Sequence, residues 1–145
     1  MTVITNEGTE LTASVKKQLE SKGQKVVVLN LPNTSGNFEN AVGLNGNSDQ
    51  EIKEAIETVI SKYGKIGSFI HLHPHFEFKG HNFASHFPAE RNILKTVFLL
   101  AKYLQPSLQA ASETQRPSFM TVTRLDGKLG LGKRSNTSIM GGGLS

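Results

Sequence analysis

All five histidines of the chain fall in one short segment: His71, His73, His75, His81 and His86. Along an extended strand, positions 71, 73 and 75 project from the same face, which is a geometry in which imidazoles can share a metal ion. His71, His73 and His75 are therefore the candidate ligands. Several features weigh against a metal. Pro74 interrupts the strand, and the nearest acids are Glu77 and Glu90, whereas metal-bound histidines are usually steadied by carboxylates close by. The plainer reading has these histidines lining a crevice at the C-terminal end of a strand, or facing solvent, and no metal is assigned.

Other chemistry is conspicuous by what it lacks. A dinucleotide needs glycines in the first strand-to-helix turn, so that backbone amides can approach the pyrophosphate at the helix N-terminus. Here the turn reads Thr5-Asn6-Glu7-Gly8-Thr9-Glu10, with one glycine and two glutamates where phosphates would lie. The second strand ends Asn30-Leu31-Pro32, without the acid that would hold a ribose. Carbonyl reduction of the short-chain type also needs a tyrosine whose pKa is lowered by a lysine four residues on. Tyr63 is followed at that spacing by Gly67 and Tyr103 by Ser107. Gly127 to Arg134 (G-K-L-G-L-G-K-R) approaches a phosphate loop but carries Arg134 where Ser or Thr must hold magnesium. No G-x-S-x-G elbow supports a serine hydrolase. The expected sites are thus catalytic none and cofactor-binding none.

The elements that must carry these residues alternate. Thr2 to Thr5 begins a strand, and Leu11, Val15 and Leu19 then mark one helical face that ends at Gly23. Lys25 to Leu31 is a β-branched run of the kind buried on both faces. A polar loop from Pro32 to Asn47 leads to a capping box at Ser48-Asp49-Gln50-Glu51. Behind it Ile52, Ala55, Ile56, Val59 and Ile60 form a helical stripe closed by Gly64. Ile66 to Leu72 is the third strand, with Gly67 expected to admit a closely packed helix. The longest helix runs from Ala89 to about Leu108, apolar at Ile93, Leu94, Val97, Phe98, Leu100, Ala101 and Leu104, with Pro106 suggesting a bend or stop. Phe119 to Val122 is the fourth strand. Such alternation requires parallel pairing and right-handed crossovers. The expected fold is an α/β, truncated Rossmann-like three-layer sandwich, with about four parallel strands and helices on both faces. Residues 1–145 read as one degenerate domain, and the Gly141-Gly142-Gly143-Leu144-Ser145 ending reads as the lead-in to a helix of a longer chain.

Bulk properties narrow the field further. A chain of 145 residues can bury one real core, and 37% hydrophobic residues with 14 glycines is neither disordered nor fibrous. The net charge of +4 is spread along the chain, which points to no nucleic acid. With no cysteine, disulfides and thiolate zinc sites are excluded. The start is polar, and the apolar stretch from Ile93 to Leu104 holds two lysines and is too short for a bilayer. The expectation is a soluble, cytoplasmic protein with no membrane partner.

The residues from Phe119 onward (F-M-T-V-T-R-L-D-G-K-L-G-L), with the Gly141 to Ser145 ending, resemble a ketoreductase region of a type I multifunctional synthase. The likeness is greatest to the polyunsaturated fatty acid synthases related to polyketide synthases. Ile93 to Leu108 and the opening V-I-T-N-E-G-T-E-L resemble the same region. In that family two Rossmann-like halves, related to short-chain dehydrogenases, make the ketoreductase. The N-terminal half is a shortened copy that has lost the cofactor and supports the catalytic one. The resemblance implies a non-catalytic structural subdomain, inactive alone, whose partner is the catalytic half carrying NADPH, with self-association of the isolated chain. The alternative is the front part of a short-chain dehydrogenase with an atypical NAD(P) turn. A weaker one is a metal-binding protein using the histidine cluster.

Overall fold

The computed structural model describes residues 1–32, 34, 36–74 and 87–123. Its elements follow in the order β1 (Thr2–Asn6), α1 (Glu10–Ser21), β2 (Val26–Asn30), β3 (Ala41–Gly43), α2 (Asp49–Tyr63), β4 (Ser68–Leu72), α3 (Phe87–Ala111) and β5 (Ser118–Val122). The strands form one sheet in the order β3-β2-β1-β4-β5, and every pairing is parallel. This is the Rossmann-like sandwich the alternation requires, with five strands where four were expected. The additional strand, β3, is three residues long and sits inside the polar loop. It was concealed because a three-residue segment, Ala41-Val42-Gly43, is too short to show a period.

Local signals place the helix ends. Ser48 caps α2, and the reciprocal contacts with Glu51 complete the capping box. At the end of α1 the amides of Gly23 and Gln24 bond back to the carbonyls of Glu20 and Leu19, with Gly23 at φ 79°. That is a Schellman ending, and its left-handed residue favours glycine. Pro106 does not stop α3, which continues to Ala111. The proline is exposed, so the Lys102 carbonyl it leaves without a helical donor lies on the hydrated side of the helix.

The two faces of the sheet are covered unequally. On one, Val3, Val27, Leu29 and Phe69 pack beneath Ile52, Ile56 and Val59 of α2 and Leu100 and Leu104 of α3. On the other, Ile4, Val26 and Val28 meet Leu19 of α1 and Phe38 of the loop. Of the face expected of α1, Val15 and Leu19 are half-buried and Leu19 packs on the sheet, but the face does not extend to the first turn. Leu11 is exposed, while Thr12 is the buried residue of that helix. Phe98, expected in the core, is 72% exposed, because the α3 stripe that meets sheet and α2 runs through Val97, Leu100 and Leu104. Gly67 precedes β4, and what lies over it is the Gln115 side-chain amide, not a helix backbone.

These burials predict a contrast within one helix. Leu104→Ala is expected to lower unfolding free energy by about 2–5 kcal/mol, and Phe98→Ala to change it by less than about 0.5 kcal/mol. Urea denaturation of the two variants beside the parent checks both values.

Candidate functional site

In an open parallel sheet, ligands bind beyond the C-terminal strand ends at the point where strand order reverses. Here that point lies between β1 and β4. The two strands pair through Ile4 and Ile70, whereas β1 stays with β2 as far as Asn6 and β4 stays with β5 as far as Leu72. Where β1 and β4 separate, Thr5 bridges them. Its Oγ1 accepts from the Leu72 amide at 2.8 Å and donates to the Leu72 carbonyl at 3.2 Å. His71 Nδ1 lies 3.0 Å from the same oxygen. The hydroxyl has one proton. When it goes to the carbonyl, His71 must carry its proton on Nδ1; when it goes to the ring, the imidazole is the Nε2–H form.

His71 is fully buried and His73 is 5% exposed, their rings edge to face with centroids 5.7 Å apart. Glu90, in the first turn of α3, is 1% exposed and lies near enough to His73 to act on its charge. Burial pushes the His71 imidazole down to about 3, with the neighbouring His73 adding to the shift. Burial lowers His73 as well, and the Glu90 carboxylate works against that. Both rings are therefore neutral near pH 7.

The β1–α1 turn is wired to itself. Asn6 Nδ2 donates to Asn30 Oδ1 at 2.9 Å, and Asn6 Oδ1 accepts from the Gly8 amide at 2.9 Å. Glu7 is 3% exposed, and its carboxylate accepts from both the amide and the hydroxyl of Thr9. The Glu7 amide donates to Thr12 Oγ1 at 3.1 Å, and the Leu11 amide to Thr9 Oγ1 at 3.3 Å. Amides that would face a phosphate in a nucleotide-binding turn are thus occupied by side chains of the turn, one of them an anion. The loop after β2 closes over this end, since a Cβ on Gly36 would stand 3.1 Å from Asn6 Nδ2 and 2.7 Å from the Phe38 ring.

Of the candidate ligands, His71 on β4 and His73 just beyond its end bring their rings together, and His75 lies outside the described residues. So do His81, His86, the Gly127–Arg134 stretch and the Gly141–Ser145 ending. Among the described residues no group of three His, Cys, Asp or Glu side chains could hold a metal ion. The tyrosines stand away from the crevice. Tyr103 donates its hydroxyl to Asp49 across the α2–α3 surface, and Tyr63 lies beneath Lys25 and Lys62. Thr5 and Glu90 were not singled out by motif. The one available signal was a polar residue, Thr5, closing the otherwise apolar run Val3-Ile4 of a strand that had to be buried.

No protein-family model matches the chain, and no curated protein does. Solved structures do. A short-chain dehydrogenase/reductase from Brucella melitensis, described as glucose/ribitol dehydrogenase, superposes with TM-score 0.71 at 14% identity, over 98% of this chain and 64% of that one. A 3-ketoacyl-(acyl-carrier-protein) reductase from the same organism, complexed with NADH, gives 0.68 at 18% identity, over 84% of this chain and 55% of that one. A short-chain dehydrogenase/reductase from Saccharomyces cerevisiae gives 0.65 at 14% identity, over 99% and 59%. The chain has the fold of the short-chain dehydrogenases/reductases. It spans 55% to 64% of the length of these three proteins, and at such identities the likeness is one of fold. Among the described residues no helix is long and apolar enough to cross a membrane.

The Thr5 bridge is open to test. Thr5→Val keeps the shape but removes the hydroxyl from a buried amide, a carbonyl and a ring nitrogen, so a loss of roughly 1–3 kcal/mol is expected. Urea denaturation measures it, and the His71 ring ¹⁵N shifts should move in the same variant. A loss below about 0.5 kcal/mol, with the ring signals unmoved, would show that β1 and β4 are held by other contacts.

Proposed function

We propose that this chain is a non-catalytic structural subdomain supporting an NADPH-dependent β-ketoacyl reductase within a fatty acid or polyketide megasynthase. The observation that carries the reading is the buried Glu7 carboxylate, bound to the Thr9 amide at the start of α1. A unit negative charge about 4 Å from a phosphate costs the ligand about 4 kcal/mol at an effective dielectric near 20. That is close to a thousandfold in affinity, enough to move micromolar binding to millimolar. The turn therefore behaves as a closed structural joint. Its partner on this reading is the catalytic half of the same parent chain, which would hold NADPH, and the setting is cytoplasmic, without nucleic acid or membrane. Two surfaces suit such docking: the outer face of α3 around Phe98, and the edge strand β5, where Phe119, Met120 and Val122 are 40%, 51% and 37% exposed. Uncovered, the same surfaces would favour self-association.

A second reading has its own support. The similar structures include a reductase complexed with NADH, of which the chain covers 55%. On that reading the chain is the first part of a short-chain dehydrogenase, whose remaining portion supplies the tyrosine and lysine.

Calorimetric titration of the chain with NADPH and with NADH separates the two. The structural reading expects no saturable binding up to about millimolar, less than about 4 kcal/mol, together with measurable association with a separately produced catalytic half. Saturable micromolar binding of either nucleotide would overturn it in favour of the second reading.

A further inference from the structure

The strand ends opposite the β1–α1 turn carry polar groups of their own. Where β1, β2 and β4 begin, an open cavity of about 330 Å³ is lined by Gln24, Lys25, Ser68, Gln115 and Arg116, beside Thr2. No aspartate or glutamate is among the described residues that line it. The backbone acceptors around it are spent within the fold. The Lys25 carbonyl accepts from the Thr2 amide, and the Met1 carbonyl from the amides of Gly67 and Ser68. The carbonyls of Leu19 and Glu20, at the end of α1, accept from the amides of Lys22, Gly23 and Gln24. That matters because free carbonyls at a helix C-terminus repel anions. The Gln24 carboxamide oxygen is likewise taken, by the Thr2 hydroxyl at 2.8 Å, so what Gln24 still offers is its Nε2 donors.

Gly67 makes room for a second carboxamide. A Cβ at that position would stand 1.4 Å from Gln115 Nε2, so Gln115 lies across the start of β4 only because residue 67 has no side chain. The Gln115 amide holds its backbone there by donating to the Ala111 carbonyl at 3.0 Å. Arg116 follows, exposed, and among the described residues its guanidinium has no acid or carbonyl partner. The Lys25 ammonium is instead bound to the Tyr63 carbonyl at 2.9 Å, at the end of α2, which fixes its charge in place. A lining rich in donors, cationic and without carboxylates suits an anion. A phosphate group, with three strong acceptor oxygens, takes donors from several sides at once. We propose that this cavity is a binding site for a phosphate group, free or carried on a small molecule, held by the Arg116 guanidinium and the carboxamides of Gln24 and Gln115, with the Ser68 hydroxyl and the Lys25 charge beside them. This does not rest on the function proposed above. Its volume lies at the low end of small-molecule sites, enough for a phosphate on a short carbon chain. Gln24, Gln115 and Arg116 are exposed, so a ligand reaches them without any opening of the fold.

Titration of the full chain with inorganic phosphate at constant pH and ionic strength, followed by amide NMR shifts, tests the site. The amides of Gly23, Gln24, Ser68 and Arg116 should move along one saturable curve, with a dissociation constant of about 1 mM or tighter. Those of Gly8 and Thr9, in the turn at the other end of β1, should not follow it. Arg116→Gln should weaken binding about tenfold. Gly67→Ala should weaken it about threefold by displacing the Gln115 carboxamide, and should add nothing once Gln115→Ala is present. A parallel titration with glycerol phosphate separates the sources. Binding at least about fivefold tighter than that of inorganic phosphate means a phosphate carried on a small molecule, and binding no tighter means free phosphate. The absence of a saturable shift up to about 20 mM phosphate, or equal binding by the parent chain and Arg116→Gln, would overturn the proposal.

Discussion

Where the strand order reverses, β1 and β4 stop exchanging backbone hydrogen bonds after Ile4 and Ile70, and the Thr5 hydroxyl carries the pairing on to Leu72. Much of the C-terminal end of the sheet follows from that contact. It holds β4 beside β1 for one further residue, which keeps His71 against Thr5 and leaves β4 aligned with β5 through Leu72 and Val122. The His73 amide then reaches the Val122 carbonyl at 3.0 Å, so the two strands leave the sheet together. In sheets that bind ligands at this point, the gap between separating strands is where the ligand enters. Here the chain fills it with its own polar groups, the Thr5 hydroxyl being matched to the Leu72 backbone and the His71 ring.

The same alternation that buries Val3 and Phe69 also commits Thr5, His71 and His73 to the face beneath α3. That face changes character along its length, from aliphatic and aromatic near the strand starts to hydroxyl and imidazole near the ends. An imidazole can replace an aliphatic side chain there only while neutral, since a buried charge must be paired or lose its proton. The Asp49–Lys102 and Asp49–Tyr103 contacts between α2 and α3 lie on the surface, where ion pairs contribute little. They orient the helices, whereas the buried face sets how strongly α3 is held.

Sequence reasoning reads this architecture best where one residue type serves one purpose. The β-branched run of β2, the capping box at Ser48 and the glycine after α1 each have one physical explanation, and each element lies where that explanation puts it. It reads less well where tertiary contacts choose among equivalent local solutions. Leu11 and Thr12 both suit the first turn of α1, and Thr12 is the one buried because its hydroxyl meets Glu7 and Asn6. Phe98 fits the apolar stripe of α3 by period, yet which 100° of a broadly apolar helix faces the sheet is set by packing against α2. The turn around Glu7 shows both sides. Its missing glycines and excess acid were legible as an obstacle to phosphate, but not that the carboxylate would turn inward and take up the Thr9 amide.

The unequal covering of the sheet bears on what such a turn is for. The α2–α3 face is thickly packed, whereas the α1 face depends on a small cluster around Ile4, Val26 and Val28, with Ile70 only partly buried. At the margin lies β5, an edge strand whose Phe119 stacks on Phe69 at 4.9 Å while Met120 remains half exposed. Edge strands of proteins that stand alone are commonly blunted by charges, bulges or proline, because an apolar edge invites further pairing. Ser118-Phe119-Met120-Thr121-Val122 carries none of these, and its residues project apolar groups to both sides. A β1–α1 turn closed on its own side chains and, among the described residues, an unblunted apolar edge at β5 fit the same proposed role. On that proposed role, the domain would contribute through the surface it offers a neighbour.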